Sequence, residues 1–199
     1  MYRVNEIFRS LQGEGFWTGT PMVFVRLSGC NLSCPFCDTD FRSFKEMSAD
    51  EIAKEAKRLG CSRVCITGGE PLLQLDSDLI DILHGIGLTI HVETNGTRPA
   101  PENIDWITLS PKEDFTNPTA GKVVMEKADE VKLVYNGSLS QERLKYWADF
   151  PASWHFLQPC DTGEGGKNRQ ILEETVNYIL SHDNRWRLSL QTQKFLGIR

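Results

Sequence analysis

With 199 residues the chain is long enough for one sizeable core and short for two, and 40% hydrophobic with 25% charged residues is the balance of an ordinary globular domain. The formal net charge is −5, and Lys and Arg are scattered rather than clustered, which argues against the basic face that a nucleic-acid partner leaves. No run approaches the ~18 uninterrupted apolar residues of a membrane helix, and Met1-Tyr2-Arg3-Val4-Asn5-Glu6 lacks the apolar core of a secretory signal. A cytoplasmic chain with no membrane or nucleic-acid partner is therefore expected.

In chain order, residues 3–9 alternate loosely and predict a short strand. Ser10-Leu11-Gln12-Gly13-Glu14-Gly15 follows, a glycine-punctuated turn that reads either as a plain loop or as backbone able to approach a ligand closely. Residues 21–28 predict a strand whose apolar run is broken by Arg26. A lone Arg in a strand belongs on a solvated face, or in a site at the strand's C-terminal end. The strand delivers Cys30-Asn31-Leu32-Ser33-Cys34-Pro35-Phe36-Cys37, three thiols spaced C-x3-C-x2-C. Ser48-Ala49-Asp50-Glu51 is a capping-box pattern, opening a helix that Gly60 stops after Leu59.

Beyond it, strand and helix patterns alternate. A strand over 62–67 ends in Gly68-Gly69-Glu70-Pro71 and leads to a helix over 72–84. Strands over 88–92, 104–109, 130–135, 154–157 and 187–190 are separated by helices over 141–150 and 169–180. The strand ends carry Glu93-Thr94-Asn95-Gly96-Thr97, Ser110-Pro111-Lys112 and Gln158-Pro159-Cys160-Asp161. This alternation indicates an α/β fold with a mostly parallel sheet, with too few units for a closed eight-fold barrel: a partial βα barrel, one domain over 1–199. Ligands of parallel sheets bind at the carboxyl ends of the strands, so these motifs are expected on one edge.

The six cysteines do not read as a disulfide framework, because three sit too close together and no signal points to an oxidising compartment. The three N-x-[ST] matches at Asn31, Asn95 and Asn136 are chance patterns in such a protein. Two metal readings compete at the cysteine loop. A structural zinc needs four ligands, of which only three are local, with no paired C-x2-C or H-x3-5-H. An iron–sulfur cluster held by three thiolates leaves one iron without a protein ligand, an arrangement suited to direct binding of a substrate. Spacing favours the iron–sulfur reading.

Cys30, Cys34 and Cys37, together with Gly68-Gly69-Glu70-Pro71, resemble the radical S-adenosylmethionine (SAM) superfamily. The resemblance implies a radical SAM core, a [4Fe–4S] cluster on the three cysteines and SAM chelating the fourth iron. It narrows further. Leu11-Gln12-Gly13-Glu14-Gly15, Val25-Arg26-Leu27-Ser28-Gly29-Cys30, Cys37-Asp38-Thr39, Thr67, Glu93-Thr94-Asn95-Gly96-Thr97, Ser110-Pro111-Lys112, Gln158-Pro159 and the ending 190–198 closely resemble the 7-carboxy-7-deazaguanine synthase family. Members convert 6-carboxy-5,6,7,8-tetrahydropterin to 7-carboxy-7-deazaguanine with loss of ammonia, for 7-deazapurine pathways such as queuosine. The resemblance implies hydrogen abstraction from C6 of the pterin, ring contraction, regenerated SAM, Mg²⁺ dependence, a homodimer and an external one-electron donor of the flavodoxin or ferredoxin type.

Residue by residue, it implies SAM contacts from Gly69, Glu70, Ser110, Pro111, Lys112, Gln158, Pro159, Cys160 and Asp161. It implies pterin contacts from Leu11, Gln12, Gly13, Glu14, Arg26 and Thr67. Arg26 suits a substrate carboxylate, since a guanidinium forks onto it, and Glu14 suits the donor-rich aminopyrimidinone edge. Thr39, by residue type a turn hydroxyl, becomes a Mg²⁺ ligand by resemblance. Two departures stand out. Gln193 replaces a common His, so any protonation role is lost while hydrogen bonding survives. Arg199 stands where members often have Pro, and either its main-chain carboxylate reaches the substrate or its side chain adds a cation. Cys65, Cys61 and the four His read as core or surface residues, the five Trp as core or dimer-interface residues. A glycyl-radical activase and a zinc-binding structural module remain the competing readings.

Overall fold

The computed structural model describes residues 1–40, 43–182 and 185–199. β1 (Tyr2–Leu11) and β2 (Pro21–Leu27) pair antiparallel, and β3 (Lys45–Met47) adds antiparallel to the far side of β1. From β2 onward the sheet is parallel, through β4 (Arg63–Gly68), β5 (Thr89–Thr94), β6 (Trp106–Leu109), β7 (Ala128–Tyr135), β8 (Ala152–Pro159) and β9 (Trp186–Leu188). The order is β3-β1-β2-β4-β5-β6-β7-β8-β9, with β3 and β9 as unjoined edges. This is the expected incomplete, mostly parallel barrel. The short strand β3 was not expected: three residues carry no readable periodicity, and its pairing with Tyr2–Val4 is what defines it.

Strand alternation sorts the side chains onto two faces. Val23, Val25, Leu27, Val64, Ile66, Ile90 and Val92 face outward and pack with Ile52, Ala56, Leu79, Ile80 and Leu83 of α1 (Ala49–Leu59) and α2 (Ser77–Gly85). Val131, Leu133 and Leu157 share a second cluster with Leu144 and Trp147 of α3 (Gln141–Ala148). Each fully buried aliphatic side chain of these layers contributes ~1.5–3 kcal/mol. With the apolar burial concentrated there, the inner face is free to carry polar residues: Arg26, Thr67, Glu93, Thr108, Glu130, Lys132 and Gln158 alternate with the outward set along their strands. The lone Arg26 thus sits on the inner face, not on a solvated one.

The N-terminal ends of the strands are closed by an aromatic plug. Phe16 stacks on Trp106 at 5.1 Å and meets Trp154 at 4.8 Å, while Trp17 meets His91 edge-on at 5.0 Å and carries Arg63 over its ring at 4.9 Å. The plug directs any ligand to the opposite, carboxyl end of the sheet.

The capping box at α1 forms as the sequence indicates, with Gly60 in the left-handed region at φ 72°. The helix predicted over 72–84 divides. Glu70 caps a 3-10 turn, Pro71–Leu73, and the α-helix begins only at Ser77, where Asp76 accepts from Leu79 N. Tyr2 donates to the same Asp76 carboxylate at 2.6 Å, so a residue of β1 sets the start of α2. α4 spans Gly165–Ser181, and a last helix, α5 (Thr192–Leu196), forms in the stretch read from sequence as a tail. Among the described residues no helix is long and apolar enough to cross a membrane.

Candidate active site

The strand-end motifs converge on one cavity of about 610 Å³. It is lined by the cysteine loop and by the ends of β4, β5, β6 and β8, with the 11–14 turn on one side and the 191–199 segment across it. Every residue expected at the site lines it except Glu70 and Pro111, which are buried behind the wall.

Glu70 is fully buried, and its carboxylate accepts from Leu72 N at 2.9 Å, Thr94 Oγ1 at 2.7 Å and Asn95 N at 2.7 Å. It therefore ties the end of β4 to the end of β5, and burial pushes its pKa up against those bonds. Its main chain grips the cysteine loop, as Glu70 N donates to Gly29 O at 2.9 Å and Gly69 N to Leu27 O at 3.1 Å. The two glycines answer to the same contact. A Cβ at Gly69 would lie 2.0 Å from Gly29 O, and one at Gly68 (φ 132°) would lie 2.0 Å from Leu27 O. The Gly-Gly-Glu-Pro turn is thus the bracket that places Cys30.

The loop is held at other points too. Asn31 donates to Thr97 Oγ1 at 2.8 Å and accepts from Asn95 at 3.2 Å, which gives the Glu-Thr-Asn-Gly-Thr motif a supporting role. Phe36 packs edge-on against Phe115 at 4.9 Å, and Asp38 takes the Lys194 ammonium at 2.9 Å. All three loop cysteines are free thiols; Cys30 and Cys34 are half-buried and Cys37 is exposed. Burial pushes Cys30 and Cys34 up, and the Lys112 ammonium opposes this. Lys112, itself lowered to about 8 by burial, donates to Ser110 O at 2.7 Å and Ser110 Oγ at 2.5 Å, so the Ser-Pro-Lys turn presents one cation to the sulfurs.

Among the described residues no three His, Cys, Asp or Glu side chains converge tightly enough to hold a single metal ion. Three thiols of one loop on one cavity wall are a donor set of the type that iron–sulfur clusters use, each thiolate binding a different iron. Cys160 also lines the cavity, but it is 5% exposed and its thiol points at Asp161 O, 3.8 Å away. The donor set on the loop is therefore three sulfurs.

Across the cavity, Arg26 is anchored by Nε to Glu6 Oε1 at 2.9 Å, with Nη1 3.4 Å from Thr39 Oγ1. Glu6 also accepts from Arg199 Nη2 at 2.9 Å, and both guanidinium groups lie over the Phe8 ring. Ser10 Oγ donates to the main-chain oxygen of Arg199. Arg199 lines the cavity with its main chain on Ser10 and its side chain on Glu6.

Glu14 is the most densely bonded group of the site. Oε2 accepts from Lys132 Nζ at 2.5 Å and Gln158 Nε2 at 3.0 Å; Oε1 accepts from Gln193 Nε2 at 2.9 Å and Gln191 Nε2 at 3.1 Å. Burial alone would raise its pKa, but the Lys132 charge and the amide donors outweigh it and hold the carboxyl below the usual range. Gln193, the departure from the family His, thus serves as a hydrogen-bond donor. Gln12 bonds Glu93 at 2.9 Å, and Gly13 O accepts from Thr192 N and Oγ1. Lys194 bridges Asp38 and Asp161, the latter at 2.7 Å, linking α5 to both the cysteine loop and the end of β8.

Lys132, Glu93, Glu6 and Lys194 carry no assigned role in the sequence reading. A signal for the first was present: Glu130 and Lys132 alternate with Val131, Leu133 and the strand is buried on both faces, so charged residues at period two mark a polar interior.

The Radical SAM superfamily profile matches residues 24–110, the span from β2 through the cysteine loop to the Ser-Pro-Lys turn. A 7-carboxy-7-deazaguanine synthase of Bacteroides thetaiotaomicron is 47% identical over 199 residues, covering 100% of both chains. One of Bordetella pertussis is 38% identical and covers 99% of each. A crystal structure of QueE from Escherichia coli superposes with a TM-score of 0.73 at 29% identity, covering 95% of this chain and 93% of that one. With the cysteine loop and the ends of β4, β5 and β6 inside the span of the superfamily profile, and with full-length identity at this level, the chain belongs to the 7-carboxy-7-deazaguanine synthase family of the radical SAM superfamily.

Proposed function

We infer that the chain catalyses the reaction for which its family is named: conversion of 6-carboxy-5,6,7,8-tetrahydropterin to 7-carboxy-7-deazaguanine with release of ammonia, a lyase step of 7-deazapurine biosynthesis. The observation that carries this reading is the convergence of the three-thiol loop, the Arg26–Thr39 pair and the Gln12–Glu14 turn on one cavity. When bound, the [4Fe–4S] cluster and SAM supply homolytic one-electron chemistry that no side chain can perform.

The chain's residues divide the remaining work. Cys30, Cys34 and Cys37 hold the cluster. Gly69, Ser110, Lys112 and the 158–161 segment bind SAM, while Glu70 and Pro111 act through the groups they position. Leu11, Gln12, Gly13, Glu14 and Thr67 bind the pterin ring. Arg26, with Nε committed to Glu6, keeps its terminal nitrogens for a bidentate grip on the substrate carboxylate. Thr39 Oγ1 beside it would hold Mg²⁺, which would supply positive charge next to the substrate carboxylate. Glu14 already accepts four hydrogen bonds, so a pterin N–H reaches it by exchange with a donor amide. Gln191 and Gln193 are neutral donors and the ones that exchange. The aromatic plug and the 191–199 segment keep water from the reacting atoms. The enzyme works as a cytoplasmic homodimer supplied with electrons by an external flavodoxin- or ferredoxin-type donor.

The test is an anaerobic assay of the iron- and sulfide-reconstituted, reduced protein with SAM, Mg²⁺ and the carboxytetrahydropterin. Product with the mass of 7-carboxy-7-deazaguanine is expected. SAM cleavage competence without that product would overturn the substrate assignment.

A further inference from the structure

Lys132 lies midway along β7 on the inner face of the sheet, with 4% of its surface exposed. Its ammonium stands 2.5 Å from Glu14 Oε2 and 3.3 Å from Glu93 Oε2. Gln12 closes the circuit: its Nε2 donates to Glu93 Oε1 at 2.9 Å, and its Oε1 accepts from Glu14 N at 3.2 Å. Three segments far apart in sequence, the 12–14 turn, β5 and β7, are joined in one polar ring on the cavity wall.

The Lys132 ammonium contacts both carboxylates, and for the buried Glu14 it is the counter-charge that offsets desolvation. A buried ion triad seldom stabilises a fold more than apolar residues of the same volume would, so stability alone gives the ring little reason to exist. Its use lies in the charge it keeps beside the cavity. The two amides on Glu14 Oε1 can be exchanged for a ligand's N–H groups, whereas the Lys132 charge stays. Of the other charged groups that face the ring, Glu130 accepts from Thr108 and Phe16 N, each at 2.8 Å, and Arg26 is bound to Glu6. Lys112 is hydrogen-bonded to Ser110 and acts on Glu14 and Glu93 only through space, whereas Lys132 contacts both. Cys65 of β4 is a buried neutral thiol pushed up by burial.

We propose that Lys132 is a positioning residue of the substrate pocket: it keeps Glu14 ionised and holds both Glu14 and Glu93 aimed at the cavity, so that the wall selects a substrate edge rich in N–H donors. The identity of that substrate rests on the function inferred above. The charge claim does not.

Two variants test it, Lys132→Met and Lys132→Arg. The first readout uses the cofactor-free protein. In infrared difference spectra against the unsubstituted chain at neutral pH, Lys132→Met should gain the carbonyl stretch of a protonated carboxyl, and Lys132→Arg should not. The signals of Glu70 and Glu130 cancel in the difference, and adding Glu14→Gln to Lys132→Met should remove the new band. The second readout is kinetic. Lys132→Met should raise KM for the pterin at least tenfold and move the acid limb of kcat/KM to higher pH, while Lys132→Arg stays within a few fold. A Lys132→Met spectrum without the new band, or unchanged KM and pH profile, would overturn the proposal. If Lys132→Met does not fold, Lys132→Gln carries the same test with a donor but no charge. An unsubstituted enzyme that makes no deazaguanine defeats the substrate reading and leaves the infrared result to decide the charge claim.

Discussion

Replacing Gly69 by Ala tests whether the Gly-Gly-Glu-Pro turn is a bracket for the cysteine loop. The added Cβ would meet Gly29 O at 2.0 Å, its carbonyl carbon at 2.5 Å and Cys30 Cβ at 2.9 Å, whereas real Cβ contacts essentially never fall below 3.0 Å. The facing backbone must retreat by about 1 Å, and overpacking of that kind costs ~1–3 kcal/mol. The retreat stretches the Glu70 N–Gly29 O bond, now 2.9 Å, and a backbone hydrogen bond lost there adds ~1 kcal/mol. A total of ~2–4 kcal/mol is expected, with the displacement delivered directly to Cys30. Gly166→Ala is the control, since a Cβ there meets nothing and the position is helical. It should be neutral or stabilising by up to ~1 kcal/mol. Thermal unfolding of the cofactor-free chain, and iron and sulfide content after anaerobic reconstitution, are the assays. Gly69→Ala should lower both and Gly166→Ala neither. A Gly69→Ala protein with unchanged melting temperature and full iron content would refute the bracket.

Thr39→Ala should weaken turnover and abolish its dependence on Mg²⁺ concentration while iron content stays intact; an unchanged Mg²⁺ titration would contradict the ligand role. Arg26→Lys removes the fork that Glu6 orients and should raise KM for the pterin about tenfold, ~1.4 kcal/mol, with little change in melting temperature. His91 is buried among Trp17, Trp106 and Arg63, and burial with the Arg63 charge lowers its pKa from 6.5 to about 4. The unfolded chain therefore binds a proton below pH 6.5 that the folded chain does not. Its contribution is full above 6.5 and is lost as pH falls through 4, to the extent of ~3 kcal/mol. Urea denaturation at pH 7.5 and 4 should show a smaller acid loss for His91→Phe than for the unsubstituted chain; equal losses would contradict the assignment.

What the sequence made legible follows from locality. The alternation of strands and helices, the capping box at Ser48, and the placement of five motifs at strand ends are properties of contiguous segments, and the structure keeps them all. Cys65 was legible for the same reason, as an apolar-strand residue, and it is fully buried. The unread features depend on contacts between distant segments. Tyr2 reaching Asp76 decides where α2 starts. Gly29 sets the need for Gly69, and Asn95 and Thr94 consume the Glu70 carboxylate. The role of Lys132 needs Glu14 and Glu93, residues on other elements, brought within hydrogen-bond reach. The 191–199 stretch has too little periodicity to announce α5. Its helix is fixed by Thr192 on Gly13, Lys194 on Asp38 and Asp161, and Arg199 on Glu6.

If this cavity brings C6 of a carboxytetrahydropterin to the radical chemistry of SAM, incubation of the reduced, reconstituted protein with substrate deuterated at C6 should yield 7-carboxy-7-deazaguanine, with deuterium appearing at the 5′ carbon of recovered SAM. Product formed with no deuterium in SAM, or labelled SAM with no deazaguanine, would contradict it.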